Sequence, residues 1–227
     1  MDPYSQALNQ FYEGKVEEGL LLNTSYGQPE GMPLWYFFRS YEEMPDFEKM
    51  ALSVCEGKIL DVGAGTGCHA LILQQFDNDI TAIETSEEAV KIMKDSGLKK
   101  AELADYFKYH GDTFDTMICL MNGIGFIGKI DRLEAFLKKA NELLNSEGQI
   151  IFDSSDISYL YEGENKPTDH YFGEVQFQYE FLGKKGDWFD WVYIDKETLI
   201  RRADELGWYT YILREENDQY LARLIRK

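Results

Sequence analysis

Cysteine is scarce in this sequence, and its placement excludes two kinds of architecture. Among 227 residues there are three cysteines, Cys55, Cys68 and Cys119, and no two of them form a Cys-x-x-Cys pair. This odd and dispersed set predicts neither a disulfide framework nor a thiolate zinc site, and it favours a reducing compartment. Residues 1–15 show neither a basic start nor an apolar stretch, so no secretory signal is expected and we predict a cytoplasmic protein.

Long apolar runs and an excess of positive charge are also missing. The longest run of rings and aliphatic side chains, residues 34–38, is far too short to span a bilayer, so no membrane association is expected. Lys and Arg number 23 against 41 Asp and Glu, which gives a formal net charge of −18. Because such a surface repels phosphate groups, a nucleic-acid partner is disfavoured.

What the chain does contain is enough apolar material for one domain over residues 1–227, since 44% of its residues are hydrophobic. The pattern changes near residue 56. Residues 1–55 are irregular and rich in rings, and we interpret them as an N-terminal cap with one helix over 46–55. Residues 56–227 form the predicted core, in which short apolar strands alternate with amphipathic helices.

This alternation predicts an α/β fold with a mostly parallel sheet and helices on both faces. Seven strands are predicted, over 58–62, 79–83, 101–104, 116–121, 149–152, 208–214 and 219–226. Helices are expected over 68–76, 131–144 and 196–206, with another that begins at a capping box of Thr85 and Glu88. An inserted β-hairpin is predicted at about 173–194, and the last two strands give the sheet an antiparallel finish.

The most informative segment is a glycine loop between the first strand and the next helix. Gly63, Gly65 and Gly67 follow the strand directly, where glycine permits positive φ and keeps side chains away from a bound ligand. The dinucleotide fingerprint needs a glycine where Cys68 stands, and no P-loop lysine follows. Glu84 ends the second strand 21 residues after Gly63, a position from which a carboxylate can hold both ribose hydroxyls. Together these features predict a nucleoside ligand without a pyrophosphate.

Over about residues 57–227 the sequence resembles the class I S-adenosylmethionine-dependent methyltransferases. The family's glycine motif is similar to ILDVGAGTG, its ribose-binding strand end to ITAIETS, and its fourth-strand motif to FDTMICLMNGIGFI. The segment SEGQIIFD departs from the usual Pro-Gly-Gly at residues 146–148. The resemblance implies a Rossmann-like seven-stranded, mostly parallel sheet whose antiparallel last strand lies beside the fifth.

The resemblance also implies a site for S-adenosyl-L-methionine. Asp61 would orient the methionine ammonium group, and Glu84 would hold the ribose. Asp105 would face the adenine amino group, with Tyr106 or Phe107 near the ring, and Asn122 would lie near the sulfonium. The expected cofactor-binding residues are Asp61, Gly63, Ala64, Gly65, Gly67, Glu84, Thr85, Asp105, Tyr106 and Asn122.

No motif identifies a catalytic residue, and the candidates are Asn122, Asp153 and His170. Asp153 ends the fifth strand at the carboxyl edge of the sheet, where either a general base or a hydrogen-bonding role fits. His170 precedes the hairpin in a segment that could form a lid, whereas His69 is assigned to packing or capping. No cluster has metal-ligand spacing, so no metal is predicted.

The predicted activity is methyl transfer from the sulfonium to a nucleophile on a small-molecule acceptor. The alternatives are methylation of a protein side chain and a non-catalytic module that binds S-adenosylmethionine, with a nucleotide-dependent oxidoreductase as a remote one. We expect residues 1–55 and the hairpin to lie at the carboxyl edge of the sheet and close over the methyl group. Their rings are assigned mainly to packing: Trp35, Tyr36, Trp188, Phe189 and Trp191.

Overall fold

A computed structural model describes residues 1–163 and 165–227. The helices are α1 (Pro3–Tyr12), α2 (Asp46–Ser53), α3 (Cys68–Gln75), α4 (Glu87–Asp95), α5 (Leu133–Leu143) and α6 (Lys196–Glu205). The strands are β1 (Leu20–Thr24), β2 (Glu30–Met32), β3 (Lys58–Val62), β4 (Asp79–Glu84), β5 (Ala101–Leu103), β6 (Phe114–Cys119), β7 (Leu144–Ser155), β8 (Glu174–Phe181), β9 (Lys184–Lys185), β10 (Phe189–Val192), β11 (Trp208–Glu216) and β12 (Gln219–Arg226).

The larger sheet has seven strands in the order β11-β12-β7-β6-β3-β4-β5. Strands β3 to β7 pair in parallel, while β12 is antiparallel to both of its neighbours, β7 and β11. The predicted Rossmann-like sheet is therefore confirmed, including the antiparallel last strand beside the fifth strand of the core. Its two faces are covered by separate apolar clusters, one with α5 and α6 and the other with α2, α3 and α4.

The smaller sheet differs from the sequence-based expectation. Strands β10, β8, β1 and β2 pair side by side in that order, all antiparallel, and β9 adds to β8. The predicted hairpin is present, but its strand β8 also pairs with β1 from the N-terminal cap. Describing residues 1–55 as irregular was wrong for this part, because β1 is stabilised by pairing with a strand about 155 residues later, such as Asn23 with Gln178.

Several element ends differ from the predictions by one to a few residues, and two of these differences concern β7 and α4. The strand predicted over 149–152 is the middle of the longer β7, which continues directly from α5. Helix α4 is capped by Ser86, whose Oγ accepts a hydrogen bond from the Ala89 amide, so the Thr85 capping box was wrong by one residue. The Thr85 hydroxyl instead donates to the Glu84 carboxylate. No helix in the described part of the chain is long and apolar enough to cross a membrane.

The two sheets are held together at the carboxyl end of the larger one. Helix α1 packs against α4, where the Ser5 and Ser86 hydroxyl oxygens lie 2.8 Å apart. On the other side, the Trp191 indole of β10 lies directly against the Gly125 backbone, so close that a Cβ there would overlap the ring. Gly125 belongs to the 3-10 segment Gly123–Ile127, which follows β6. These contacts form the sides of a cavity between the sheets.

Candidate active site

The cavity has a volume of about 1160 Å³ and lies where β3, β4, β6 and β7 end. Its floor is formed by the loops after these strands. Its walls come from the N-terminal cap and from the smaller sheet, including Tyr4, Tyr36, Tyr179 and Trp191. The expectation that the cap and hairpin close over the carboxyl edge agrees with this arrangement. Single small-molecule sites in proteins typically have about 300–1,000 Å³, so the space exceeds what one ligand needs.

The glycine loop forms one end of the floor. Gly63, Gly65 and Gly67 have φ values of +69°, +57° and +84°, a region that side chains rarely adopt. A Cβ at Gly67 would lie 2.7 Å from Met93 Cγ, so this glycine allows the close packing of α4. A Cβ at Gly63 would meet no protein atom within 4 Å. Gly67 therefore serves the fold, whereas Gly63 borders open space in the cavity.

Asp61 lies beneath this loop and is 2% exposed. Its Oδ2 has no hydrogen-bond partner among residues 1–163 and 165–227. Burial raises the pKa of Asp61 to about 6, although the charge of His69 opposes the rise. A buried carboxylate with a free oxygen suits a cationic group such as an ammonium, which would restore the missing interaction. This fits the methionine ammonium of the expected cofactor.

Glu84 joins the end of β4 to the glycine loop. One carboxylate oxygen accepts a hydrogen bond from the Gly65 amide at 3.0 Å. The other accepts from the amides of Thr85 at 2.6 Å and Ser86 at 3.1 Å. The carboxylate is therefore fixed beside the cavity and orders the loop at the same time.

The expected adenine end is built around the turn after β5. The Asp105 carboxylate accepts from the Phe107 amide at 2.9 Å, and Tyr106 and Phe107 line the cavity beside it. The Tyr106 hydroxyl is directed away from this site, because it donates to the Phe136 carbonyl in the core at 2.9 Å. The Arg132 guanidinium lies over the Phe107 ring at 4.5 Å.

Asn122 and Asp153 meet at the other end of the floor. Asp153 Oδ2 accepts one hydrogen bond from the backbone N–H of Asn122 and one from the side-chain Nε2 of Gln219, each at 2.8 Å. Asp153 is 3% exposed, and its Oδ1 is without a hydrogen-bond partner in the described structure. Burial raises the pKa of Asp153 to about 6, against the lowering effect of those two hydrogen bonds. Asp153 thus retains one carboxylate oxygen whose hydrogen-bonding capacity no described residue satisfies.

A buried charge network in the wall was not anticipated from the sequence. The His69 Nε2 lies 2.6 Å from Glu48 Oε2, and Arg39 Nη2 donates to both Glu48 oxygens at 3.0 and 2.9 Å. Burial opposes charge on His69, but Cys68 and Glu48 raise its pKa well above the usual value. Burial likewise opposes charge on Glu48, but His69 and Arg39 lower its pKa.

His69 therefore belongs to a charged network at the cavity, rather than serving only as a packing or capping residue. The sequence carries one signal of this network, since Glu48 stands among the apolar residues Phe47, Ala51 and Leu52 on the buried side of α2.

The structure places His170 apart from the residues that line the cavity. Its ring is partly exposed, its Nδ1 lies 2.8 Å from the Asp169 carboxylate, and it is absent from the described residues that line the cavity. It precedes the smaller sheet but does not reach the space between the sheets. No group of His, Cys, Asp or Glu side chains in the described ranges is arranged to hold a metal ion.

Comparison with known proteins relates this fold and site to a family. A family model described as a methyltransferase domain matches residues 59–148. A solved structure of an S-adenosylmethionine-dependent methyltransferase from Bacteroides fragilis, in complex with S-adenosyl-L-homocysteine, is 37% identical to this chain. That alignment covers 99% of this chain and 94% of the other, with a TM-score of 0.90.

Two further relatives are more distant. The sugar N-methyltransferase KedS8 from Streptoalloteichus shares the fold at 16% identity and a TM-score of 0.60, over 89% of this chain and 96% of the other. A tRNA1(Val) (adenine(37)-N6)-methyltransferase from Cytophaga hutchinsonii is 28% identical over 111 residues, 37% of this chain and 46% of that relative's length. The match to the Bacteroides protein extends over nearly the whole of both chains, and on that ground this chain belongs to the class I S-adenosylmethionine-dependent methyltransferases.

Proposed function

We propose that this chain transfers a methyl group from S-adenosylmethionine to a small-molecule acceptor held between its two sheets. When bound, the cofactor supplies an electrophilic methyl group on a sulfonium. The observation that carries the proposal is the cavity of about 1160 Å³, which extends from the glycine loop to the aromatic walls. It is large enough for a nucleoside cofactor and a second small molecule together.

In this proposal the chain holds the cofactor through groups at the strand ends. Asp61 binds the methionine ammonium with its free oxygen, and Glu84 binds the ribose while it orders the loop. Asp105 faces the adenine, with Tyr106 and Phe107 near the ring. Gly63 and Ala64 leave the backbone open to the methionine part. Asn122 borders the position of the reacting methyl group.

The acceptor is small in this proposal because the cap and smaller sheet cover the floor, which leaves little room for a macromolecule. Nucleic acid remains disfavoured despite the tRNA-modifying relative, since the net charge of −18 repels phosphate groups. Methylation of a protein side chain is the second candidate and would need an exposed peptide segment to enter the cavity. Residues 1–227 act as a single methyltransferase domain, and the three free thiols favour the cytoplasm.

Cofactor binding is tested by calorimetry with S-adenosylhomocysteine on two matched variants, Gly63→Ala and Gly14→Ala. Both glycines have a φ of +69°, and a Cβ at either position meets no protein atom within 4 Å. They differ in that Gly63 borders the cavity, whereas Gly14 follows α1 at the surface. Gly63→Ala should weaken binding at least about tenfold, roughly 1.4 kcal/mol, while Gly14→Ala retains it. Equal affinities would contradict a cofactor on the glycine loop.

The acceptor class is tested by incubating the protein and radiolabelled S-adenosylmethionine with three fractions of a cell extract. These are the low-molecular-mass ultrafiltrate, the retained protein and total RNA. Label should appear in the ultrafiltrate. Label in retained protein or in RNA, with none in the ultrafiltrate, would contradict the small-molecule proposal and leave the cofactor assignment intact.

A further inference from the structure

We propose that the acceptor is a small amine, which binds as its ammonium form between the aromatic walls and gives its proton to Oδ1 of Asp153. This inference rests on the proposed methyltransferase function and names its substrate class. Three features of the cavity support it: the sign of its charge, the unpartnered oxygen of Asp153, and the aromatic rings that line the same space.

Acidic residues dominate the charge of the cavity. The carboxylates that line it are Asp2, Glu30, Glu48, Asp61, Glu84, Asp105, Asp153 and Asp187. Within the described chain, the basic side chains lining it are Arg132 and His69, and both are engaged, Arg132 on the Phe107 ring and His69 with Glu48. A concave site lined by one sign of charge concentrates ligands of the opposite sign. The cavity therefore favours a cation over an anion.

Asp153 is the carboxylate that the cofactor and the fold leave available. Asp61, Glu84 and Asp105 are used by the proposed cofactor, and Glu48 is neutralised by Arg39 and His69. Asp2 caps α1 by accepting from the Ser5 amide, and Glu30 and Asp187 are exposed to solvent. Asp153 is 3% exposed with Oδ1 unpartnered among the residues the structure describes. A buried free carboxylate oxygen is costly unless a ligand satisfies it.

Aromatic side chains form the wall that faces this floor. The lining rings are Phe177, Tyr179, Phe189 and Trp191 of the smaller sheet and Tyr193, which directly follows β10. They are mutually packed, with the Phe177 centroid 6.4 Å from that of Trp191 and 6.3 Å from that of Tyr193. Ring faces attract cations when water is excluded. The fold already uses this interaction beside the cavity, where the Arg39 guanidinium lies 3.5 Å from the Tyr36 ring centroid.

The same features oppose the other common methyl acceptors. A phenol, thiol or carboxylic acid reacts as its anion, and an acidic, low-dielectric cavity raises the cost of forming that anion. An alcohol holds its proton too tightly for a carboxylate to remove it in the ground state. The walls stabilise an ammonium ion on arrival. The same charges oppose the loss of its proton, but the positive charge returns to the nitrogen as the bond to the methyl carbon forms, and the walls stabilise it again there.

The N–H bond of the ammonium breaks, and its proton moves to Asp153 Oδ1, while the Asn122 amide and Gln219 hold the other oxygen. The freed nitrogen lone pair forms a bond to the methyl carbon as the S–C bond breaks. The electron pair of that bond stays on sulfur and gives the neutral thioether. The methylated nitrogen now carries the positive charge, and the proton on Asp153 passes to solvent.

The binding test uses sinefungin, in which a carbon that bears an amine replaces the sulfonium sulfur and its methyl group. Calorimetry compares it with S-adenosylhomocysteine on the wild type and on Asp153→Asn, which keeps an oxygen for Asn122 and Gln219. Sinefungin should bind the wild type at least about tenfold tighter, and Asp153→Asn should remove most of this preference with little change for S-adenosylhomocysteine. Glu87→Gln, at an exposed acid that does not line the cavity, should retain it.

A wild-type protein without the preference, or an Asp153→Asn variant that keeps it, would overturn the role of Asp153. Failure of both ligands to bind would instead overturn the proposed function.

The nature of the methylated atom is tested with S-adenosylmethionine carrying ¹³C in its methyl group and the ultrafiltrate as acceptor source. The carbon chemical shift of the labelled product distinguishes methyl groups on nitrogen, oxygen and sulfur. An N-methyl product is expected. An O-methyl or S-methyl product would overturn the amine assignment, while the proposed methyltransferase function would stand.

Discussion

Asp61 and Asp153 are two buried carboxylates at the cavity, and burial raises the pKa of each from 3.8 to about 6. Above that pH the fold must hold both as unsolvated charges, which costs roughly 3 kcal/mol for each carboxylate relative to the unfolded chain. This cost is consistent with a ligand role, because a cation at either site would recover the lost interaction. The ligand-free protein is therefore less stable than its core alone would make it.

The first prediction is that the ligand-free protein becomes more stable as pH falls from about 7.5 to about 5.5. A raised carboxyl pKa means that the folded state takes up protons before the unfolded state does, so acid favours folding in this window. The charged and titrating neighbours are Glu48, His69 and Glu84. The raised pKa of His69 acts in the same direction, and the lowered pKa of Glu48 loses stability only in more acid solution.

Thermal melts across this range check the prediction. The double variant Asp61→Asn, Asp153→Asn should melt higher than the wild type at neutral pH, with a flatter pH dependence. A wild type whose melting temperature rises with pH through this window would show that the two carboxylates are solvated.

The second prediction concerns Glu84, whose carboxylate binds three amides of the loop and helix start. Glu84→Ala should weaken S-adenosylhomocysteine binding by about 1.5–3 kcal/mol, because it removes charge-assisted hydrogen bonds to the ribose and disorders the loop. Calorimetry measures the loss, and Glu87→Ala serves as a control, since Glu87 is an exposed acid three residues later. If Glu84→Ala bound S-adenosylhomocysteine as tightly as the wild type, the end of β4 would not bind the cofactor.

At the scale of elements, the sequence predicts the helices and strands whose pattern of apolar residues lies within the element itself. Strands β3 and β12 have the predicted bounds, and α5 follows an apolar stripe through Leu133, Phe136 and Leu137. Strand β1 was missed because its partner β8 is distant in sequence, and β2 was missed because it has only three residues. The Arg39–Glu48–His69 network was missed for the same reason, since its members come from three separate segments that meet through tertiary packing.

The site residues likewise fall into two groups, those that local sequence predicts and those that depend on tertiary contacts. The loop glycines and Glu84 stand next to one another because a strand and a turn put them there, and sequence spacing shows that. Asp153 could be placed near a strand end. Which of its oxygens stays free is decided by Asn122, which follows β6, and by Gln219, the first residue of β12, because both bind Oδ2. The aromatic wall depends on the pairing of β8 with β1, which no local pattern encodes.

The third prediction tests the contact between the smaller sheet and the loop after β6. Gly125→Ala would place a methyl group inside the Trp191 indole, so the ring must move away from the cavity wall. We expect the free energy of unfolding to fall by about 1–3 kcal/mol. Gly123→Ala is the matched control, because its Cβ would lie 3.5 Å from Cys119 Cβ, an ordinary contact in the same segment. Urea melts followed by tryptophan fluorescence measure the free energy of unfolding of both variants. Equal stability of the two variants would contradict the contact between Gly125 and Trp191.

At the scale of the whole molecule, the cofactor loop and the cap form one continuous set of contacts. The Tyr4 hydroxyl lies 3.5 Å from where a Gly65 Cβ would stand, and the Tyr4 ring stacks on Tyr179 of β8 at 4.8 Å. Ser5 contacts Ser86 at the start of α4. We therefore expect a ligand that orders the glycine loop to restrict α1 and β8 as well.

The fourth prediction is that saturating S-adenosylhomocysteine slows amide hydrogen exchange in α1 and β8 as well as in residues 63–67. Binding stabilises the states in which these contacts are made, by roughly 2.7 kcal/mol at a hundredfold excess over the dissociation constant. Amides that exchange by local opening of α1 should therefore become protected. Helix α6 and β11 lie at the opposite edge of the larger sheet, so their locally exchanging amides should change little. Mass spectrometry of peptic fragments resolves these segments. Protection confined to residues 63–67 would mean that the cap opens independently of the cofactor. Closure of the cap over the acceptor would then have to be caused by something other than cofactor binding.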